Sequence, residues 1–284
     1  MVNQCRSTTG NIALQRRLAY DHQTSGGQTR GDKSVTEAFT VRLAENARDI
    51  EAAQRLRYEV FVAELGGDGA LVDHEARLER DRFDPFFDHL LICDNLRDNA
   101  VVGVYRVLRE DQAKAAGQFY SEDEYDLTAL KSSGRRLLEL GRSCLHRDYR
   151  GGPAMFLLWQ GLGKYVREHS IEVLFGVASF HGIDVNKMAE PLSLLHHRHL
   201  APAELRPRAR EFQSMDLMPE DQIDRRRAML QVPALIKAYL RLGGCVGDGA
   251  FIDRDFNTVD VCLVMDTERM NDRQRARYTQ DRGR

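Results

Sequence analysis

The residue types most suited to chemistry fall between Leu137 and Ser179. The run Leu137-Leu138-Glu139-Leu140-Gly141-Arg142-Ser143-Cys144-Leu145 sets a carboxylate and a guanidinium into an otherwise apolar strand. In a regular strand Glu139 and Arg142 have opposite parity and face opposite ways. Gly141 between them is where a β-bulge is expected, and a bulge puts both on one face. An ordinary charged pair in a half-buried strand is the simpler alternative. A basic turn follows, His146-Arg147-Asp148-Tyr149-Arg150-Gly151-Gly152-Pro153, and then an apolar run from Ala154 to Trp159. Pro153 suits a first helical position, where its missing N–H costs nothing, and Gly151 and Gly152 let another group approach the backbone. Open amides at a helix N-terminus beside Arg147 and Arg150 make a site for a phosphate. With the second apolar run, Val173 to Ser179, the order reads strand, loop, helix, strand. A carboxylate and a guanidinium beside a phosphate loop suggest group transfer.

The rest of the chain bounds what is transferred and where. With 284 residues, 42% hydrophobic and 30% charged, it can bury one large core. A formal net charge of −2 gives no bulk attraction to nucleic acid, so no nucleic-acid partner is expected. The five cysteines are scattered without metal-ligand spacing, which points to reduced thiols, a cytoplasmic location and no metal. No apolar run approaches the roughly 20 residues of a membrane-spanning helix, and the N-terminus lacks the apolar core of a signal peptide.

The elements that must position these residues follow in order. Residues 1–34 read as a mobile polar tail, 35–266 as a single domain and 267–284 as a charged, frayed tail. A strand is expected at Phe39 to Ala44, then a helix capped by Asn46 with Asp49. Its apolar stripe is Ile50, Ala53, Leu56, Val60 and Phe61, with Arg57 one step from the buried face. Gly66 to Asp88 is acidic and irregular, and by composition alone is as readily a solvated loop as not, though Phe83, Phe86 and Phe87 argue that part folds back on the body. A hairpin pairs His89–Cys93 with Val101–Leu108, interrupted by Arg106. Residues 110–134 read as a polar, mobile cover. Helices are expected at Asp184 to His199 and at Pro233 to Leu242, the latter stopped by Gly243-Gly244. A last strand runs from Thr258 to Met265. Two decoys stand out: His89-x4-Asp94, whose members have opposite parity in a strand, and His196-His197-x-His199, which lacks a carboxylate at matching helical spacing.

This order resembles the GNAT acyltransferase fold. Arg57-Tyr58-x-x-Phe61, Glu79-x-Asp81-x-Phe83-Asp84, Gly103-x-x-Arg106 and Glu139-x-x-Arg142 look like motifs of acyl-homoserine-lactone synthases. Asp88-His89-Leu90-Leu91, Leu138 to Cys144, His146 to Gly152 and Asp253-Arg254-Asp255-Phe256 bring the likeness closer to ornithine N-α-acyltransferases, over about residues 36 to 266. The resemblance implies an α/β (α+β) fold: a central mixed, mostly antiparallel sheet, a V-shaped splay between two parallel strands, and flanking helices.

The resemblance also implies transfer of a 3-hydroxyacyl chain from acyl carrier protein to the α-amine of ornithine, giving lyso-ornithine lipid. Glu139 would be the base and Arg142 a partner in catalysis, with a strand N–H near Ser143 or Cys144 polarising the carbonyl. Arg57 and Arg106 would serve substrate binding, Arg142 and Arg106 holding the substrate carboxylate or orienting the acidic loop, while Asp81 and Asp84 would pair with the arginines or with the δ-ammonium of ornithine. Arg147, Arg150, Gly151 and Gly152 would hold the phosphopantetheine phosphate, and Arg135, Arg136 and Arg206 to Arg210 would dock the acidic carrier. The usual GNAT phosphate loop has glycines where this chain has Pro153 and Met155, which favours a single phosphate over a coenzyme A pyrophosphate. No cofactor is implied beyond the phosphopantetheine thioester co-substrate. The lipid product adds peripheral contact with the inner face of the cytoplasmic membrane. Open alternatives are an acyl-homoserine-lactone synthase, an acetyl-CoA-dependent N-acetyltransferase and a non-catalytic GNAT-like binding module.

Overall fold

A computed structural model describes residues 38–270. The N-terminal tail expected over 1–34 and most of the C-terminal one lie outside the described residues; of the latter, Thr267–Arg269 form a 3₁₀ turn.

Along the chain run β1 (Phe39–Leu43), α1 (Ala47–Arg57), β2 (Asp88–Asp94), β3 (Ala100–Arg109), α2 (Glu110–Ala116), β4 (Tyr125–Asp126), α3 (Thr128–Ser132), β5 (Leu137–Leu145), α4 (Ala154–Glu168), β6 (Val173–His181), α5 (Ala189–His199), β7 (Arg208–Ala209), α6 (Arg225–Gln231), α7 (Ala234–Arg241), β8 (Cys245–Val246), β9 (Phe251–Asp253) and β10 (Thr258–Asp266). The main sheet has the order β1-β2-β3-β5-β6-β10-β8, with β9 also on β10, and every pairing is antiparallel except β5 with β6. This is the mixed, mostly antiparallel sheet that the resemblance implied.

Both faces of the sheet are covered, as apolar alternation on each strand requires. On one face Leu158, Trp159 and Leu162 of α4, Leu192 and Leu195 of α5 and Ile236 of α7 close over the strands. On the other, Phe83, Phe87, Phe119, Tyr125, Leu127 and Leu130 pack on Phe175 and Val264. Residues 110–134 are therefore no mobile cover: they form α2, a 3₁₀ turn at Tyr120–Asp123, β4 and α3, and their apolar side chains belong to the core. Asn46 caps α1, its Oδ1 accepting from the amides of Arg48 and Asp49. Beyond Arg57 the helix widens into a π-helical segment, Tyr58–Glu64, a departure from α geometry that recurs at functional sites.

Candidate active site

β5 and β6 pair only through Leu137–Glu139 and Val173–Phe175, then part. Gly176 sits where they separate. A Cβ there would lie 2.1 Å from the Leu140 carbonyl oxygen, so only hydrogen fits. The expected bulge is present: Cys144 faces Val104 and Gly141 faces Arg106, leaving Arg142 and Ser143 opposite Tyr105 alone. The left-handed residue of the bulge is Arg142 itself, at φ 49°, and not the glycine. Such a conformation costs a bulky residue ~1–3 kcal/mol and persists only where its surroundings hold it. Here Arg142 Nε donates to Glu79 Oε1 at 3.1 Å, and its guanidinium lies 4.7 Å from the Phe256 ring and 5.1 Å from that of Tyr120.

The cleft between the parted strands is lined by Gly141, Arg142, Ser143, Val177 and Ala178. The buried hydroxyl oxygen of Ser143 makes no hydrogen bond. At its base the hydroxyls of Tyr105 and Tyr239 bond to each other. Leu174, Tyr239 and Met265 are shared with a neighbouring cavity of about 560 Å³ lined by Trp159, Leu162, Val166 and Leu242.

Arg57, Asp81, Asp84 and Arg106, expected to bind substrate, lie in a closed ionic network behind the cleft and line neither it nor its mouth. Arg57 and Arg106 are wholly buried. Arg57 bonds Glu79 and Asp84; Arg106 reaches Asp84 Oδ1 and Asp81 Oδ2, each at 2.7 Å. Of the two partners expected for Asp81 and Asp84, the arginines are the ones found. Burial pulls Asp84 and Glu79 up, but the arginines outweigh it and hold both below the usual carboxylate range. This network fixes residues 79–87 on the sheet and so presents Arg142 to the cleft.

Glu139 is fully buried and faces the same side as Arg142, since both touch Tyr120. Its Oε2 accepts from the Tyr120 amide at 2.7 Å, and Oε1 from the amide of Ser121 at 2.6 Å and from the Ser121 hydroxyl. Burial pushes its carboxyl up to about 7 against these donors. Glu139 is not on the cleft lining, and its oxygens are occupied, so the geometry suits anchoring the 120–123 turn better than the proton abstraction expected of it. Burial also pushes the Cys144 thiol up to about 12, which leaves no thiolate for covalent catalysis at neutral pH.

At the basic turn, Gly151 has φ 77°, and at the start of α4 the Leu157 amide donates to the Pro153 carbonyl at 3.0 Å. Arg147 is exposed, whereas Arg150 bonds Glu64 at 2.8 Å and the Leu145 carbonyl at 3.1 Å. The arginines expected to dock a carrier have internal partners: Arg135 pairs with Asp266, Arg136 with Glu172, Arg208 with Asp248, and Arg206 and Arg210 with backbone carbonyls. Of the decoys, His89 is buried and held down to about 4 by burial and by Arg106 and Arg57, while Asp94 accepts instead from Tyr149. His197 and His196 do meet a carboxylate, Asp216 at 3.2 and 4.0 Å, supplied by a different segment and so invisible to helical spacing.

Sequence reasoning missed Glu124 and Asp260 as site residues and gave Asp253 no role. These carboxylates approach within 4.8 Å of one another at the cleft mouth, a space of about 230 Å³ that Arg142, Ser143 and Phe256 also line. Burial and mutual repulsion raise Glu124 well above the usual range; burial, opposed by Ser179 and Thr258, brings Asp260 to about 6. The available signal was an acid within the apolar, β-branched run Thr258 to Met265, the same kind of signal that singled out Glu139.

Comparisons with known proteins bear on the family. Residues 56–160 match a family model described as an acetyltransferase (GNAT) domain. The solved structure of FeeM, an N-acyl amino acid synthase from uncultured soil microbes, superposes with a TM-score of 0.47 at 11% identity, covering 81% of this chain and 91% of its own. An L-ornithine N(alpha)-acyltransferase of Brucella abortus is 44% identical over 83% of this chain and 87% of its own length. That of Rhodobacter capsulatus is 58% identical over 246 residues, 85% of this chain and 95% of its own. At that identity and span, the chain belongs to the L-ornithine N(alpha)-acyltransferase family.

Proposed function

We propose that this protein transfers a 3-hydroxyacyl group from the phosphopantetheine thioester of acyl carrier protein to the α-amine of ornithine, giving lyso-ornithine lipid. The observation that carries this reading is the bulge. It sets Arg142 and the partnerless Ser143 hydroxyl at a cleft that shares Leu174, Tyr239 and Met265 with a neighbouring, mostly apolar cavity. The thioester lies in the cleft and its acyl chain enters the cavity. The phosphate of the carrier arm rests at Arg147, Arg150, Gly151, Gly152 and the N-terminal end of α4. Arg142 holds the acceptor's α-carboxylate, with Glu79 fixing the guanidinium from behind.

The α-amine attacks the thioester carbon, the C–S bond breaks, and the amide and the free carrier thiol are the products. With a reference pKa near ~8, about a tenth of such amines are neutral at pH 7. Capturing only that fraction costs about tenfold in rate, so a dedicated base at Glu139 is not required. The Ser143 hydroxyl can pass the proton lost by nitrogen to the departing sulfur, while β5 amides near Ser143 and Cys144 stabilise the oxyanion. Glu139 acts through the turn it anchors. An amphiphilic product fits a cytoplasmic protein that touches the inner face of the cytoplasmic membrane; among the described residues no helix is long and apolar enough to cross one.

The test is a product assay with 3-hydroxyacyl carrier protein and ornithine, other amino acids or S-adenosylmethionine, read by mass spectrometry. An ornithine amide that depends on the carrier and falls at least tenfold in Ser143→Ala supports the reading. A lactone from S-adenosylmethionine, or no amide with any acceptor, refutes it.

A further inference from the structure

We infer that the trio Glu124, Asp253 and Asp260 is the receptor for the side-chain ammonium of a diamino acid, and so selects the acceptor. The inference rests on the proposed transfer for the position of the α-amine, but its own evidence is the trio. The members come from separate segments: Glu124 follows the 3₁₀ turn, Asp253 ends β9, and Asp260 lies in β10. Among the described residues none pairs with any of the three in a direct ion pair.

Two oxygens of the trio are placed to receive a cation. Glu124 is 7% exposed and Asp260 3%, yet Glu124 Oε2 and Asp260 Oδ1 each lack a hydrogen-bond partner. A buried, partnerless carboxylate oxygen is costly, and two of them beside a third carboxylate more so. Asp253 differs: its Oδ1 accepts from the amides of Asp255 and Phe256, which orients the carboxylate and also places Phe256 against Arg142. All three line the cleft mouth, so a ligand can reach them.

The polarity of the mouth identifies the ligand class. Arg142 supplies a cation at one side of this space and the trio faces it with three carboxyl groups, which a bound ammonium would hold in their charged form. An amino acid with an ammonium at the end of an unbranched side chain presents the complementary pair: its α-carboxylate to Arg142, its distal ammonium to the trio. An ammonium donates three hydrogen bonds, and two partnerless acceptors with Asp253 supply three carboxylates to receive them. Asp81 and Asp84, which sequence alone offered for this task, are occupied by Arg106 and Arg57.

The deciding experiment compares ornithine with norvaline, which has the same carbon skeleton without the δ-amine, for wild type, Asp260→Asn and Glu124→Gln. In wild type kcat/KM for ornithine should exceed that for norvaline by at least about 100-fold, because a site built to bind a polar group rejects the analogue that leaves it unpaired. In either variant that ratio should fall by at least about tenfold; Glu124→Gln keeps the test available should Asp260→Asn not fold. Calorimetric titration of ornithine and norvaline without donor gives a second readout: tight binding of ornithine alone is expected. Equal affinities, or a ratio unchanged in both variants, overturns the inference. Loss of activity on chelation, restored by calcium or magnesium alone, would make the trio a metal site and also overturns it. If no amine is acylated, the proposed transfer fails by itself, and the titration still decides the receptor.

Discussion

Replacing Glu139 with Gln separates an anchoring carboxylate from a catalytic one. Burial moves its carboxyl from an ordinary 4.5 to about 7. The folded state therefore holds that proton more tightly than the unfolded chain, by about 3 kcal/mol in full. A group raised on folding contributes stability that is present below its unfolded value and is lost as pH rises through its folded value. Between pH 5 and pH 8 the wild type should lose about 2.5 kcal/mol from this residue. Glutamine does not titrate, so the stability of Glu139→Gln relative to wild type should rise by that amount over the same interval. Urea titrations at the two pH values measure it, with the single tryptophan, Trp159, buried beside Tyr239, as the fluorescent reporter. A relative stability constant to within about 1 kcal/mol would refute the electrostatic reasoning. The kinetic arm is equally direct. Loss of a general base removes about 10²–10⁴-fold from kcat, together with a limb of the pH–rate profile near 7; loss of an anchor loosens the 120–123 turn, raises KM and leaves that limb in place.

Three further outcomes follow from the geometry. Asp84→Asn leaves Arg57 and Arg106 buried with one anion fewer; a loss of about 3–5 kcal/mol in urea is expected. Because the arginines hold Asp84 down, its contribution is present above the usual carboxylate range and lost as pH falls through its lowered native pKa, so the variant should gain less than wild type on raising pH from acid. Gly176→Ala places a methyl against the Leu140 carbonyl and should cost about 1–3 kcal/mol and raise KM for the donor; an unchanged urea midpoint would count against the close approach. Arg147→Ala and Arg150→Ala should each raise KM for acyl carrier protein about tenfold with little change in kcat; an unaltered KM in both would move the phosphate elsewhere.

The order of the long elements, β1, α1, β2, β3, β5, α4, β6, α5, α7 and β10, was legible because each rests on local periodicity, as in the β5 to β6 stretch and the α7 stop at Gly243-Gly244, whereas the short α2, β4, α3, β7, α6, β8 and β9 were not. The bulge was legible too, yet its position was not: Gly141 drew attention, while the left-handed turn fell on Arg142, held by Glu79 from another segment. Residues 110–134 misled because their buried residues, Phe119, Tyr125, Leu127 and Leu130, are spaced irregularly among polar ones and show no single period. Among site residues, Glu139 and Arg142 stood out by charge against an apolar strand; Asp260 carried the same signal in β10 and was passed over. Glu124 had no such contrast, and its meaning comes only from meeting Asp253 and Asp260 in three dimensions. The same holds for the division between Arg57 and Arg106, which brace, and Arg142, which reaches the cleft.

The short pairing between β5 and β6 has a mechanical consequence. With three rungs at one end, the sheet is two half-sheets sharing a hinge, β1-β2-β3-β5 on one side and β6, β10, β8 and β9 on the other. The crossover helix α4 lies on the first half, against β1, β2 and β3, while α7 lies on the second, against β10. Past Glu139, the inner edges of both halves are strand edges inside the molecule, with amides and carbonyls that a neighbouring strand would ordinarily saturate. On the proposed reading, a thioester arm with amide groups of its own, laid along that gap, would complete the sheet as an extra strand does. Cohesion between the halves then belongs to the loaded protein, and amide exchange along β5 and β6 becomes a gauge of whether the donor is in place.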